Sequence, residues 1–177
     1  MERTFLLLAA FIFSSGQCQD TDPSRDPDAS LAVCKPDITS AAVPRVAFTA
    51  TLGQPLGPVP IDMPVKYQGI ISNMGNGYNP ATGIFTARVS GMYYFSYTMY
   101  NNDNGLVANS VMSLMKNSQR MVSTWDIGND GNDSATNAAV LQLEAGDNVY
   151  IKLYADRELF DDGMHYNTFS GFLLFPL

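Results

Sequence analysis

Gly77–Tyr97 reads GYNPATGIFTARVSGMYYFSY. Asn79, Pro80 and Gly83 supply a turn, because asparagine hydrogen-bonds nearby backbone, proline presets φ and glycine tolerates positive φ. Beyond the turn, Phe85, Ala87 and Val89 share one face of a short strand. Gly91 opens a second strand in which Tyr93, Phe95, Tyr97 and Met99 line up on one side. That period of two belongs to a half-buried strand, since successive side chains of extended backbone point to opposite faces. The segment is sheet, and its alternation assigns Tyr93, Phe95 and Tyr97 to a core rather than to an exposed recognition stripe.

The same pattern continues outward from Arg45 to Leu177. Val46, Phe48, Ala50 and Leu52 alternate with more polar neighbours, and Gly53–Pro60 follows as a proline- and glycine-rich turn. Val65–Ile71 reads as another strand. After the aromatic strand, Asn101–Gly105 (NNDNG) is a polar loop and Val107–Lys116 resumes the sheet, with Val111, Ser113 and Met115 opposite Met112 and Leu114. Gly128–Asn137 reads as a long loop. Ala139, Leu141 and Leu143 then lead to a turn at Glu144–Asn148. Val149, Ile151 and Leu153 face one way while Tyr150, Lys152 and Tyr154 face the other. Thr168–Phe175 is apolar on both faces, which places it in the middle of a sheet or against a partner. Short strands joined by turns rather than helices predict an all-β antiparallel sandwich.

The flanking sequence is of a different kind. Phe5–Phe13 (FLLLAAFIF) follows Arg3 and precedes Ser14, Ser15 and Gly16, the layout of a cleavable secretory leader over residues 1–18. The run is shorter than the roughly 20 apolar residues a membrane helix needs, and no later segment reaches that length, so no membrane span is expected. Residues 19–43 are rich in Asp, Pro, Ser and Ala without an aromatic, and read as a flexible segment before a domain at 44–177. Neither a Gly-X-Y repeat nor a heptad run is present, which excludes a collagen stalk or coiled-coil stem. Both cysteines precede the domain. Cys34 either bridges to a second copy of the chain or pairs with Cys18. With a net charge of −7 and only ten Lys and Arg spread along the chain, nucleic acid is not an expected partner.

The central stretch also carries a family spacing: Asn73, four residues, Tyr78, six residues, Phe85, five residues, then Gly91-x-Tyr93-x-Phe95-x-Tyr97. Together with Val46–Thr49 (VAFT), Leu141–Val149 (LQLEAGDNV) and Thr168–Leu174 (TFSGFLL), it resembles the globular C1q domain over roughly Pro44 to Leu177. Tyr67 stands where that pattern usually has Phe. Among family members the chain is similar to the short, stalkless secreted C1q-like and cerebellin-like proteins. The resemblance implies a ten-stranded jelly roll similar to tumour necrosis factor, assembled as a homotrimer. It further implies a secreted, non-enzymatic module that binds microbial surfaces or carbohydrate in innate immunity. The alternative within the same fold is a cerebellin-like signalling ligand for a cell-surface receptor.

Chemistry is sparse. His165 is the only histidine, so a hydrolase would have to be built on it with nearby Asp carboxylates. Neither a nucleophile elbow nor a metal-spaced histidine pair accompanies it, which disfavours both that reading and zinc, and leaves an exposed side chain. Asp126, Asp130 and Asp133 lie in a glycine- and asparagine-rich stretch whose hard oxygen donors suit calcium, or are simply solvated. The resemblance implies calcium at Asp126 and Asp133 specifically, although their separation is one residue shorter than in calcium-binding relatives. No cofactor is otherwise required. Asn132-Asp133-Ser134 is a glycosylation sequon. Asp161 and Asp162 read as a solvated acidic pair, and Trp125 as core or as a stacking surface for a ligand such as a sugar.

Overall fold

The structure is a computed structural model that describes residues 44–102, 108–128 and 132–177; the side chains of residues 108, 109, 127, 128, 132 and 133 lie outside that description. Cys18, Cys34, the leader and the segment before the domain also fall outside it. Among the described residues there is no helix, and eleven strands form two antiparallel sheets.

The five-stranded sheet contains β1 (Ala47–Thr51), β3 (Gly69–Met74), β6 (Gly91–Asn102), β9 (Asn132–Leu143) and β11 (Thr168–Pro176), in the order β3-β1-β11-β6-β9. The second sheet contains β4 (Tyr78–Asn79), β5 (Ile84–Thr86), β7 (Ala108–Lys116), β8 (Gln119–Gly128) and β10 (Asn148–Leu153), in the order β4-β5-β10-β7-β8, with the two-residue β2 (Met63–Pro64) added beside β10. The count exceeds the expected ten through two-residue pieces of this kind. Three boundaries also move. The strand expected through Val89 ends at Thr86. The strand expected at Val65–Ile71 begins only at Gly69, and residues 132–137, expected as loop, pair with Tyr97–Asn102 of β6. Their Asn, Asp, Ser and Thr side chains imitate loop composition, but pairing with the longest aromatic strand decides their conformation.

The inner faces meet in an aromatic core. Tyr93, Phe95, Tyr97 and Phe85 are fully buried, and Phe48 stacks on Tyr78 at 4.8 Å between ring centroids while meeting Phe169 edge-on at 4.9 Å. Gly91 is required by close approach: a Cβ there would stand 2.6 Å from Leu173 Cδ1 and 2.8 Å from the Phe175 carbonyl oxygen. Asn73 and Tyr78 of the family spacing are joined directly. Asn73 Nδ2 donates to the Tyr78 carbonyl at 2.8 Å and its Oδ1 accepts from the Tyr78 amide at 3.3 Å, so one side chain replaces a strand partner for an otherwise unpaired peptide group. The Tyr78 hydroxyl in turn accepts from the Tyr67 amide and donates to its carbonyl, both at 3.1 Å. The hydroxyl of Tyr67 itself is buried and has no hydrogen-bond partner among the described residues.

Candidate functional site

The final strand lies in the middle of its sheet, between β1 and β6, and its two sides have different fates. Phe169 is buried inward, whereas Phe172 and Phe175 point outward and are exposed. Register extends this outward face over the whole sheet. Phe172 stands opposite Ala47 and Tyr94, Ala47 opposite Met74, and Tyr94 opposite Val140, so one apolar row crosses all five strands. Met74 is 55% exposed, Val140 54% and Phe172 41%, while the Tyr94 and Phe172 rings touch at 5.2 Å. The next rows are hydroxyls: Ser72, Thr49, Ser170 and Ser96, then Thr51, Thr168, Thr98 and Thr136. Two pairs of them bond directly, with Thr49 Oγ1 2.9 Å from Ser170 Oγ and Thr98 Oγ1 3.1 Å from Thr168 Oγ1, while Thr51, which is buried, donates to the Gly69 carbonyl at 3.4 Å. β1, β3, β6 and β11 contain no Asp, Glu, Lys or Arg, and β9 contains only Asp133.

The outer face of the six-stranded sheet is built from different chemistry. Trp125 on β8 is opposite Val111 on β7 and is 68% exposed, so it is not a core residue. Its strand parity places it outward: Thr124, its neighbour, takes the buried position opposite Met112. The amide of Tyr154 donates to the Val111 carbonyl at 3.4 Å, and the Tyr154 hydroxyl lies 3.0 Å from Ser113 Oγ, which is 2.7 Å from Ser123 Oγ. Two cations converge there. Lys152 Nζ sits 4.1 Å over the Tyr154 ring, and Arg120 donates to the Tyr154 hydroxyl at 3.5 Å. Partial burial pushes the Tyr154 phenol up, but hydrogen bonds with Ser113 and Arg120 and the charges of Lys152 and Arg120 hold it below its usual value. Lys152 is paired with Asp62 at 2.9 Å, and Lys116, also on this sheet, with Asp147 at 3.1 Å. Arg120 has no carboxylate partner among the described residues.

Arg120 reaches this face through a bulge. The β7–β8 register shifts between Leu114 and Met115, so Val122 faces Leu114 but Arg120 rather than Met121 faces Met115. The extra residue inverts strand parity and turns the guanidinium to the same side as Ser123 and Trp125. A regular ladder would have put Met121 there, which is why alternation alone does not find Arg120.

At one end of the molecule Asp161 is fully buried, contrary to the solvated pair read from the sequence. Its carboxylate accepts four backbone amides, those of Gly53, Asp162, Tyr166 and Asn167, at 2.9–3.1 Å. Asn167 completes the clamp, with Oδ1 accepting from the Tyr100 amide at 2.9 Å and Nδ2 donating to the Phe160 carbonyl at 2.7 Å. Asp162 is exposed. His165 is exposed on the same loop at a φ of 60°. Its imidazole makes no hydrogen bond among the described residues, and none of the described carboxylates orients it as a general base.

The remaining expected site residues are only partly visible. Asp126 is half-buried on β8 opposite Ser110, and Asp133 is on β9 opposite Asn101. The side chains of Asp133 and Asn132, and all of Asp130, fall outside the described residues. Among the described residues no three His, Cys, Asp or Glu side chains converge. Among them there is also no helix long and apolar enough to cross a membrane.

The C1q domain family model matches residues 47–174. Solved structures of the same shape include the globular domain of zebrafish complement 1qA protein, with a TM-score of 0.61 at 23% identity over 75% of this chain and 99% of that one. Eiger TNF from S. frugiperda superposes with a TM-score of 0.59 at 16% identity, covering 76% and 95% of the two chains. Murine APRIL does so with a TM-score of 0.55 at 16% identity, covering 73% and 99%.

Proposed function

This chain belongs to the C1q-domain family, and on that premise we propose that it is a secreted, non-enzymatic recognition module. Three copies assemble through the uncharged outer face of the five-stranded sheet. They turn the other sheet and the end loops toward carbohydrate on microbial surfaces. The observation that carries the reading is the apolar row Met74–Ala47–Phe172–Tyr94–Val140, running unbroken across five strands in a sheet almost without charge. Depletion of charged residues with enrichment of aromatics and Met is what distinguishes the centre of a protein interface from ordinary surface. The adjoining pairs Thr49–Ser170 and Thr98–Thr168 strengthen the case, because hydroxyls that already bond to one another can lose water without leaving an orphaned donor.

Assembly serves recognition through avidity. Linking sites of modest affinity raises effective concentration, and the gain reaches about 10²–10⁴ over a single site. The test is binding of the purified protein to immobilised bacterial polysaccharides and, in parallel, to a panel of receptor ectodomains. Saturable polysaccharide binding supports the reading. Binding confined to a receptor ectodomain overturns it in favour of a cerebellin-like ligand, and ester or glycoside hydrolysis abolished by His165→Ala overturns it in favour of an enzyme.

A further inference from the structure

The cations of the six-stranded sheet are unequally used. Lys116 and Lys152 are each neutralised by an aspartate, but Arg120 meets only a phenol oxygen, at the long distance of 3.5 Å. Among the described residues no carboxylate pairs with Arg120, and of the cations on this sheet it alone keeps its charge uncompensated there. A guanidinium presents five N–H donors in a planar fork that matches a carboxylate or sulfate bidentately, and one weak bond to Tyr154 leaves most of that fork unused.

What surrounds Arg120 defines the ligand class. Along the outward side of β8 run Arg120, Ser123 and Trp125, spanning about 16 Å at roughly 3.3 Å per residue. The Tyr154 side chain lies alongside, its backbone level with Val111 and Trp125 and its hydroxyl level with Ser113 and Ser123. The order along the strip is therefore exposed indole, phenol ring, hydroxyl pair, guanidinium. An aromatic face carries a negative quadrupole that the C–H bonds of a sugar ring can meet, and hydroxyls supply both donors and acceptors to sugar hydroxyls. A neutral sugar offers the guanidinium only hydroxyl acceptors, and a bare anion offers the indole no ring to stack; a saccharide bearing an acid group gives the fork a charged bidentate partner and the indole a sugar face.

We propose that the outer face of the six-stranded sheet is a subsite for an acidic saccharide, with Arg120 holding the carboxylate or sulfate, the Tyr154 hydroxyl supporting it, and Trp125 stacking on a sugar ring. The site deepens the carbohydrate reading above and rests on it. It also works from the single protomer, because every residue named lies on β7, β8 or directly after β10.

Trp125 is the only tryptophan of the chain, so intrinsic fluorescence reports on this face alone. The probes are trigalacturonate and its methyl ester, which share rings and hydroxyls and differ in charge. Wild-type protein is expected to bind the acid at least tenfold more tightly than the ester. Arg120→Gln should lower affinity for the acid to that for the ester, with melting temperature unchanged, and Arg120→Lys should restore the preference only in part, since the fork is lost. Added salt should weaken the acid and spare the ester. Equal binding of acid and ester, or a preference that survives in Arg120→Gln, overturns the acidic subsite while leaving carbohydrate recognition standing. Absence of any response to either sugar also overturns the subsite, and the wider reading is then decided separately by the polysaccharide panel.

Discussion

The two outer faces of this sandwich sit on one core and one alternating pattern, yet they solve opposite problems. On the five-stranded side, four of the strands carry no Asp, Glu, Lys or Arg, and the outward side chains sort into an apolar row and hydroxyl rows in which Thr49 bonds Ser170 and Thr98 bonds Thr168. On the six-stranded side, Lys116, Arg120, Lys152 and Asp126 share the strands with an exposed indole. A surface that is to be buried must be content without water, whereas one that is to capture a ligand keeps groups with unused bonding capacity. The contrast teaches that one alternating pattern can give one outer face depleted of charge and another that carries it.

The largest effect should come from placing a charge on the uncharged side. Phe172→Glu is expected to separate the copies and lower the apparent affinity for a polysaccharide-coated surface by about 10²–10⁴, while Trp125→Glu leaves assembly intact. Equal consequences for assembly from both would erase the distinction between the faces. Next comes the layer they share. Phe95→Ala, at a fully buried ring touching Phe48, Phe85, Tyr93 and Phe169, should destabilise the domain by about 3–5 kcal/mol in chemical denaturation and take both faces with it.

Two smaller changes sharpen the account. Tyr67→Phe removes a buried hydroxyl without a partner among the described residues and should raise stability by about 1 kcal/mol; a loss of stability would mean that the hydroxyl is bonded after all. The smallest effect concerns Asp147, which neutralises Lys116. Hydrogen bonds from Asn117, the Glu144 amide and Lys116 lower its carboxyl from 3.8 to about 2. Because the folded value lies below the unfolded one, its contribution is present above about pH 4 and fades as pH falls toward 2. Denaturation midpoints across that window should therefore slope less in Asp147→Asn than in wild type.

Most of the fold was legible because burial repeats every second residue: Tyr93, Phe95 and Tyr97, or Val149, Ile151 and Leu153, declare both strand and face. The face of Trp125 was not, since a single aromatic beside a turn has no period, and only pairing with Val111 reveals its side. Arg120 was hidden more deeply, by a one-residue bulge that inverts parity locally. Asp161 looked solvated because nothing in the string Asp-Asp-Gly shows that four amides from two separated loops close on one carboxylate. Ser134 and Thr136 read as loop because a strand facing a hydroxyl-rich surface has the composition of one.

The account depends most on the uncharged sheet being where copies of the chain meet. Sedimentation equilibrium of the wild-type protein at micromolar concentration under reducing conditions tests this directly. The expected result is a mass three times that of the processed chain, and a stable monomer with its apolar row open to water would contradict it.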